Sequence, residues 1–288
     1  MIKKIFTLFK IARTLAVSDA LKIIYKFHKP PLFIRVFFKI FSLSFNKINS
    51  ENMNIGDEER LCKSIQSMGT SFIKLGQFLS TRPDIIGDKL ALNLEKLQDR
   101  VPPFSTDTAK QILKRNLGEE NYNLIINFSE PVAAASIAQV HKAQINDNGT
   151  IKDVAIKILR PNIKKIFNDQ IEALMLLAYI IENLNNKTKR LRLVEVVFLL
   201  KQITNHEMDL RFEAAAANEL FENTKNDKGF NVPTIYWNFT TKKILTLDKV
   251  EGISIREHEK LKELKVDLKK LAENLIQLFL KQAVRDGF

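Results

Sequence analysis

The fold of this chain is decided by Ala133-Ala134-Ala135-Ser136-Ile137-Ala138-Gln139-Val140, followed downstream by Val154-Ala155-Ile156-Lys157. The first stretch fits the phosphate-loop template G-x-G-x-x-G-x-V with an alanine at every glycine position. Small residues let backbone N–H groups approach phosphate oxygens, and alanine allows this where φ is negative. Taken alone, however, the three alanines equally suit close packing of a strand pair against a helix. With Lys157, the candidate nucleotide-binding residues are Ala133, Ala134, Ala135, Ser136, Ala138 and Val140.

The pattern around the loop predicts a small sheet among helices. Residues 132–145 and 151–159 are rich in Val, Ile and Ala, and Asn146-Asp147-Asn148-Gly149 joins them, which is typical of a β-hairpin. A hairpin puts Lys157 on the strand beside the loop, where its ammonium group can reach nucleotide phosphates. Further elements are predicted as helices at 57–98, 105–127, 162–184, 191–224 and 255–288, and as strands at 232–236 and 243–247.

Composition agrees with a mostly helical α+β protein. The hydrophobic content of 45% and charged content of 27% suit a soluble core of one large or two modest domains. Cys62 is the only cysteine, so neither an intramolecular disulfide nor a cysteine-based metal site is possible, and no metal ligands are predicted.

The net charge of +12 is concentrated near the N-terminus, where the first fifty residues carry +9. Within 31–45, Arg35, Lys39 and Ser42 form one polar stripe among apolar residues, which suits an anionic membrane surface. The alternative is a core-packing helix with a solvated basic edge. The sequence contains no uninterrupted apolar run long enough to span a bilayer. Residues 1–50 are therefore expected to lie on a membrane.

Targeting and partner classes follow from the same distribution. The Met1-Ile2-Lys3-Lys4 start is basic, but its apolar run ends at Lys10 without an A-x-A-like site, which argues against secretion. A mitochondrial presequence stays open, because the start is amphipathic and poor in acidic residues. The near-neutral remainder and the lack of a binding motif make nucleic acid the less favoured partner.

Two further segments contain residues that are unfavourable in a helix. The helix predicted at 191–224 offers a carboxylate to hold Lys157. It would also place the like-charged Asp209 and Glu213 one turn apart, and such a pair costs a helix a few tenths of a kcal/mol unless cations or solvent compensate. Gly76 lies inside an apolar helical pattern, where glycine costs up to about 1 kcal/mol relative to alanine. A close helix crossing at Gly76, with Lys74 solvated, would explain it.

The order of these motifs resembles the UbiB-type (aarF-like) atypical kinase family over roughly residues 57–288. The resemblance rests on Lys74-Leu75-Gly76-Gln77, Ser80-Thr81-Arg82-Pro83-Asp84, Leu97-Gln98-Asp99-Arg100-Val101-Pro102-Pro103, the alanine loop and Val154 to Lys157, with Glu207-x-Asp209, Glu213-Ala214-x-x-x-Asn218 and 245–252.

This resemblance implies a protein-kinase-like N-lobe, a small antiparallel sheet with helices, preceded by a family-specific helical extension. It makes Lys157 the nucleotide lysine and Glu213 its helix partner, in a protein that binds ATP or ADP with Mg²⁺. Extension residues Lys74, Gly76 and Gln77 would fold over the site and face Glu207 and Asp209. Family members support ubiquinone (coenzyme Q) biosynthesis at membranes, so biosynthetic proteins or lipid intermediates are expected partners, at the cytoplasmic face of a bacterial inner membrane.

The resemblance also sets an expectation about the catalytic half. The segment ends at Asp286-Gly287-Phe288 without the family's catalytic loop or metal-binding Asp, so no catalytic residue is assigned and the C-lobe is expected to be truncated. Alone, the chain is expected to be inactive or a nucleotide- or lipid-binding pseudokinase, with a second chain as a possible source of the missing lobe. The predicted domains are 1–50 (membrane-surface segment), 57–127 (extension), 128–252 (N-lobe and linker) and 253–288 (first C-lobe helix).

Overall fold

The computed structural model describes residues 13–14, 57–81, 83–95, 97, 102–184, 189–190, 192–255 and 257–287. Apart from Arg13 and Thr14, the predicted membrane-surface segment lies outside the described residues. The contacts divide the chain into two compact units. The first unit comprises 1–102, 134–138 and 160–205, and the second comprises 103–133, 139–159 and 206–288. The four-part division made from the sequence stays a prediction.

The first unit is helical. Its helices are α1 (Asp57–Met68), α2 (Thr70–Ser80), α3 (Pro83–Ile86), α4 (Asp88–Glu95), α6 (Ile163–Leu184) and most of α7 (Leu193–Glu207). Leu61 and Cys62 of α1 pack with Leu90 and Leu94 of α4 and with Leu97 in one buried cluster. The apolar spacing over 57–98 predicts helical structure, and the structure divides this segment at Gly69 and Gly87, which have φ of 100° and 82°. Glycine adopts this left-handed region without steric cost, so the chain turns there.

The second unit contains the sheet. Its elements are α5 (Thr106–Asn123), β1 (Ile125–Ile126), β2 (Pro131–Ala134), β3 (Ala138–Asp147), β4 (Thr150–Leu159), α8 (Leu210–Thr224), β5 (Ile244–Asp248), α9 (His258–Glu263) and α10 (Leu268–Leu280), then a π-helical turn, Lys281–Asp286. The strand order is β1-β3-β4-β5, and β2 also pairs with β3. The predicted α+β class with a small antiparallel sheet is confirmed.

One apolar core holds the sheet of the second unit to helix α5. Ala109 and Leu113 of α5 pack against the buried face of β3 and β4, where Val154, Ile156 and Ile158 are fully buried at alternate positions. This period of two points the intervening residues, Lys157 among them, to the opposite face of the sheet. The core thereby fixes the face on which Lys157 lies.

The hairpin between β3 and β4 is confirmed, with a tighter turn than expected. Asn148 and Gly149 both have positive φ, 52° and 85°, as a two-residue hairpin turn requires. However, the strand predicted at 132–145 is interrupted at residues 135–137, because the chain reverses there between β2 and β3.

The helix predicted over 191–224 is also divided. Helix α7 ends at Glu207, and Asp209 adopts an extended backbone and caps α8 by accepting a hydrogen bond from the Arg211 amide. An aspartate that caps a helix satisfies an otherwise unpaired N–H group, and this favours the break. Asp209 and Glu213 therefore do not form the like-charged pair of a continuous helix.

Two C-terminal predictions need correction. Residues 232–236 form no strand, only an isolated bridge between Ile235 and Leu247, since Pro233 has no N–H to donate to a ladder. The helix predicted from 255 to the end breaks at Lys265, which has a φ of 54°, and restarts with Asp267 as the cap of α10. None of the residues of α10 is buried.

None of the helices in the described part of the chain combines the length and apolar character needed to cross a bilayer.

Candidate functional site

The centre of the candidate site is Lys157 on strand β4. Strand β5 pairs with β4 in antiparallel register, with Lys157 opposite Leu245. The flanking residues Ile156 and Ile158 are buried in the core, so the backbone at Lys157 is held on both sides. Its own side chain is 27% exposed. The ammonium group is thus fixed to a rigid strand while it stays accessible to solvent.

Glu213 of helix α8 is the partner of Lys157. The Nζ atom of Lys157 lies 2.8 Å from both Oε1 and Oε2 of Glu213, although 56 positions separate the two residues in sequence. The carboxylate lies in the first turn of α8, where the positive end of the helix dipole also favours it. A strand lysine held by a helix glutamate is the arrangement that kinases use to position the lysine on nucleotide phosphates.

Asp209 stabilises the start of the helix that carries Glu213. Its carboxylate accepts hydrogen bonds from Nε and Nη2 of Arg211 at 2.9 and 2.8 Å, and Lys242 Nζ lies 3.8 Å away. The side-chain hydrogen bond from Arg211 holds the pKa of Asp209 below its usual value, although burial works in the opposite direction. Asp209 is thus a buried, charged cap that orients α8.

The end of β5, which lies within the linker-like stretch 245–252, is fixed by Asp248. Its carboxylate accepts a hydrogen bond from the Tyr236 hydroxyl at 2.6 Å and another from the Thr234 amide at 3.1 Å. Burial raises the pKa of Asp248, but these hydrogen bonds outweigh burial and the net shift is downward. Burial and the bond to Asp248 raise the pKa of Tyr236, so the phenol stays a donor.

The alanine stretch forms the turn between β2 and β3. The Ala135 amide donates to the Ala138 carbonyl at 2.8 Å and closes the turn. None of Ala133, Ala134, Ala135 or Ala138 has a positive φ. This is the condition under which alanine can replace glycine in such a loop.

The extension residues Lys74, Gly76 and Gln77 lie on helix α2 in the first unit. A Cβ atom added to Gly76 would lie 2.3 Å from Leu97 Cδ1 and 3.4 Å from Ile65 Cγ2. The predicted close helix crossing is therefore present, and it explains the glycine. The Gln77 Nε2 atom donates to the Leu97 carbonyl at 3.2 Å, while Lys74 is half-buried.

The structure brings together Lys157 and Glu213, the pair predicted for nucleotide binding. The expectation that Lys74 and Gln77 face Glu207 and Asp209 stays a prediction, as does the role of the alanine loop residues, including Val140. Sequence reasoning missed Arg160, Thr70 and Tyr236, whose side chains bind backbone or carboxylate groups around these motifs. A charged residue directly after a buried strand was the only available signal, and it applied to Arg160.

A comparison with protein families matches residues 96–288 to the ABC1 atypical kinase-like domain. The chain belongs to this family. Among curated relatives, "Probable protein kinase UbiB" of Marinobacter nauticus is 38% identical over 231 residues, and the protein of the same name from Pseudomonas aeruginosa is 36% identical over 230 residues. These matches make it a UbiB-type member of the ABC1 atypical kinase-like family.

The extent of these matches is uneven. Each covers 80% of this chain but only 42% and 43% of the respective relative, so the chain spans about two fifths of their length. A solved structure, a complex of Rv3197 with erythromycin from Mycobacterium tuberculosis, is 27% identical, with a TM-score of 0.40. The likeness covers 64% of this chain and 44% of that one.

Proposed function

We propose that this chain supplies the nucleotide-binding part of a UbiB-type atypical kinase that supports ubiquinone biosynthesis. The observation that carries the proposal is the ion pair between Lys157 and Glu213, with both carboxylate oxygens 2.8 Å from the ammonium nitrogen. Its location on a central strand and on the first turn of the facing helix supports a role in holding nucleotide phosphates.

The chemistry assigned to these residues is binding and orientation. Lys157 would neutralise charge on the α- and β-phosphates of ATP or ADP, and Glu213 would keep the ammonium group in place. The alanine loop, residues 133–140, would contribute backbone N–H groups to phosphate oxygens. Within the described residues, no three His, Cys, Asp or Glu side chains are grouped as metal ligands.

Residues 1–288 taken alone are expected to bind nucleotide without transferring a phosphoryl group. The sequence assigns no residue of this segment to the base or to the metal ligands of phosphoryl transfer. A role as a nucleotide- or lipid-binding scaffold is the corresponding proposal for the segment by itself. Phosphate release from ATP by the purified segment, abolished by Lys157→Met, would contradict this expectation.

Nucleotide binding is tested directly with ADP and the purified 288-residue chain. Isothermal titration calorimetry should show saturable binding that Lys157→Met weakens by at least about tenfold, because a phosphate loses its charged partner. Lys152→Met is the matched control, since Lys152 lies on the same strand and is exposed. Equal affinity of the wild type and the Lys157→Met variant would refute the assignment.

We also propose peripheral attachment to an anionic membrane through residues 1–50. The excess of basic over acidic residues in this segment and its amphipathic pattern support the proposal. The chain should sediment with phosphatidylglycerol vesicles but not with neutral phosphatidylcholine vesicles, and deletion of residues 1–50 should abolish sedimentation. Binding that survives the deletion would place the contact elsewhere in the chain.

A further inference from the structure

Three carbonyl groups of the alanine loop accept hydrogen bonds from residues outside the loop. The Ala135 carbonyl accepts a hydrogen bond from Arg160 Nε at 3.0 Å, and the Ile137 carbonyl accepts one from the Arg160 amide at 2.9 Å. Between them, the Ser136 carbonyl accepts a hydrogen bond from Thr70 Oγ1 at 3.1 Å. Three successive carbonyls are thereby held by Thr70 and Arg160. We call these two residues the loop clamp.

A peptide group is planar, and its C=O and N–H point in opposite directions. When the carbonyls of Ala135 and Ser136 turn toward the loop clamp, the N–H groups of Ser136 and Ile137 point away from it. Neither amide donates a hydrogen bond to any described residue. The two successive amides form a pair of free donors of the kind that binds anions.

The unpaired donors at Ser136 and Ile137 are buried. Ser136 is 1% exposed and Ile137 is 7% exposed, so their free amides are shielded from bulk water. The Ser136 hydroxyl is also buried and has no hydrogen-bond partner among the described residues. Buried donors without partners are rare, because each one is costly in free energy. Two amides and one hydroxyl within two residues therefore indicate a site that an acceptor-rich ligand would satisfy.

We infer that Arg160, assisted by Thr70, is a positioning residue for the phosphate groups of the nucleotide. It holds the loop carbonyls back and leaves the Ser136 and Ile137 amides and the Ser136 hydroxyl to donate to phosphate oxygens. This inference rests on the proposed function, because it assigns phosphate as the ligand of the alanine loop.

Arginine is suited to this task by the shape of its side chain. The guanidinium group donates from Nε to Ala135 and from Nη1 to the Pro102 carbonyl at 2.9 Å, so one planar group spans two separate segments. Lysine carries the same charge but lacks the planar fork of donors. The charge of Arg160 also adds a favourable Coulomb interaction for an anion at the loop.

The experiment compares four variants of the full 288-residue chain: Arg160→Gln, Arg160→Lys, Thr70→Val and Arg115→Gln. Arg115→Gln is the matched control, because Arg115 is an exposed arginine of helix α5. Thr70→Val removes only the hydroxyl and keeps the side-chain shape, so it probes the clamp if Arg160→Gln fails to fold. For each variant, hydrogen exchange of residues 134–138 is measured without nucleotide, and ADP affinity by calorimetry.

The clamp variants should all speed exchange of the loop amides, and Arg160→Gln and Arg160→Lys should both weaken ADP binding by about tenfold. Thr70→Val should weaken it less, and Arg115→Gln should change neither quantity. Loop exchange unchanged in Arg160→Gln would overturn the clamp, and faster exchange with unaltered ADP affinity would overturn the positioning role. If the wild type binds no ADP, the proposed function and phosphate positioning both fail, while exchange still decides whether the clamp exists.

Discussion

The Glu213→Gln substitution tests whether the ion pair between Lys157 and Glu213 serves nucleotide binding or only the stability of the fold. The substitution keeps the size of the side chain and removes the negative charge that faces Lys157. Because the side chains of Lys157 and Glu213 are 27% and 48% exposed, solvent screens the pair. Such pairs contribute up to about 1 kcal/mol to the free energy of unfolding, so the thermal midpoint should fall by less than roughly 4 °C.

The effect on nucleotide binding should be larger. Without the carboxylate, the Lys157 ammonium group is no longer held at one place, and ADP affinity should fall about tenfold, or roughly 1.4 kcal/mol. Calorimetry gives the affinity, differential scanning fluorimetry gives the midpoint, and Glu219→Gln serves as control at an exposed position of the same helix. A large drop in midpoint with unchanged ADP affinity would show that the pair stabilises the fold only.

Three further predictions concern packing, titration and local stability. Gly76→Ala should lower the free energy of unfolding by about 1–3 kcal/mol in urea titrations, because the added Cβ would overlap Leu97. Gly252 has open space around it, so Gly252→Ala should not lower the free energy of unfolding. A stabilised Gly76→Ala variant would refute the close helix crossing. Burial holds the pKa of His141 below 6.5, although the hydrogen bond to the Ser129 carbonyl works in the opposite direction. The contribution of His141 to stability is therefore complete above pH 6.5 and is lost as the pH falls below that value. The free energy of unfolding should change more between pH 7.5 and pH 5.5 in the wild type than in His141→Gln. Equal changes in the two proteins would contradict this prediction. Helix α10 should exchange its amides faster than α8, since none of its residues is buried, and equal protection would count against that expectation.

The parts of the fold that the sequence predicts correctly are those with local rules. The turn at Asn148 and Gly149 and the alternation of buried residues along β4 follow from residue type and spacing alone. The sequence did not predict the break between α7 and α8 at Asp209. An aspartate among other acidic residues suits a continuous helix as well as a helix cap.

The site was predictable where it depends on a motif and unpredictable where it depends on tertiary contacts. Lys157 and Glu213 follow from the motifs and the family resemblance, and the structure brings them within 2.8 Å. The clamp formed by Thr70 and Arg160 joins positions that are 66 and 25 residues from their partners in the loop. No spacing rule connects such positions, because the backbone carbonyls that they bind leave no mark in the sequence.

ADP titration of the wild-type chain beside its Lys157→Met variant tests the nucleotide site most directly. The wild type should bind ADP saturably at one site, and the variant should bind it at least about tenfold more weakly. Absence of saturable binding by the folded wild-type chain at millimolar ADP, or equal affinity of the two proteins, would contradict the assignment of this site.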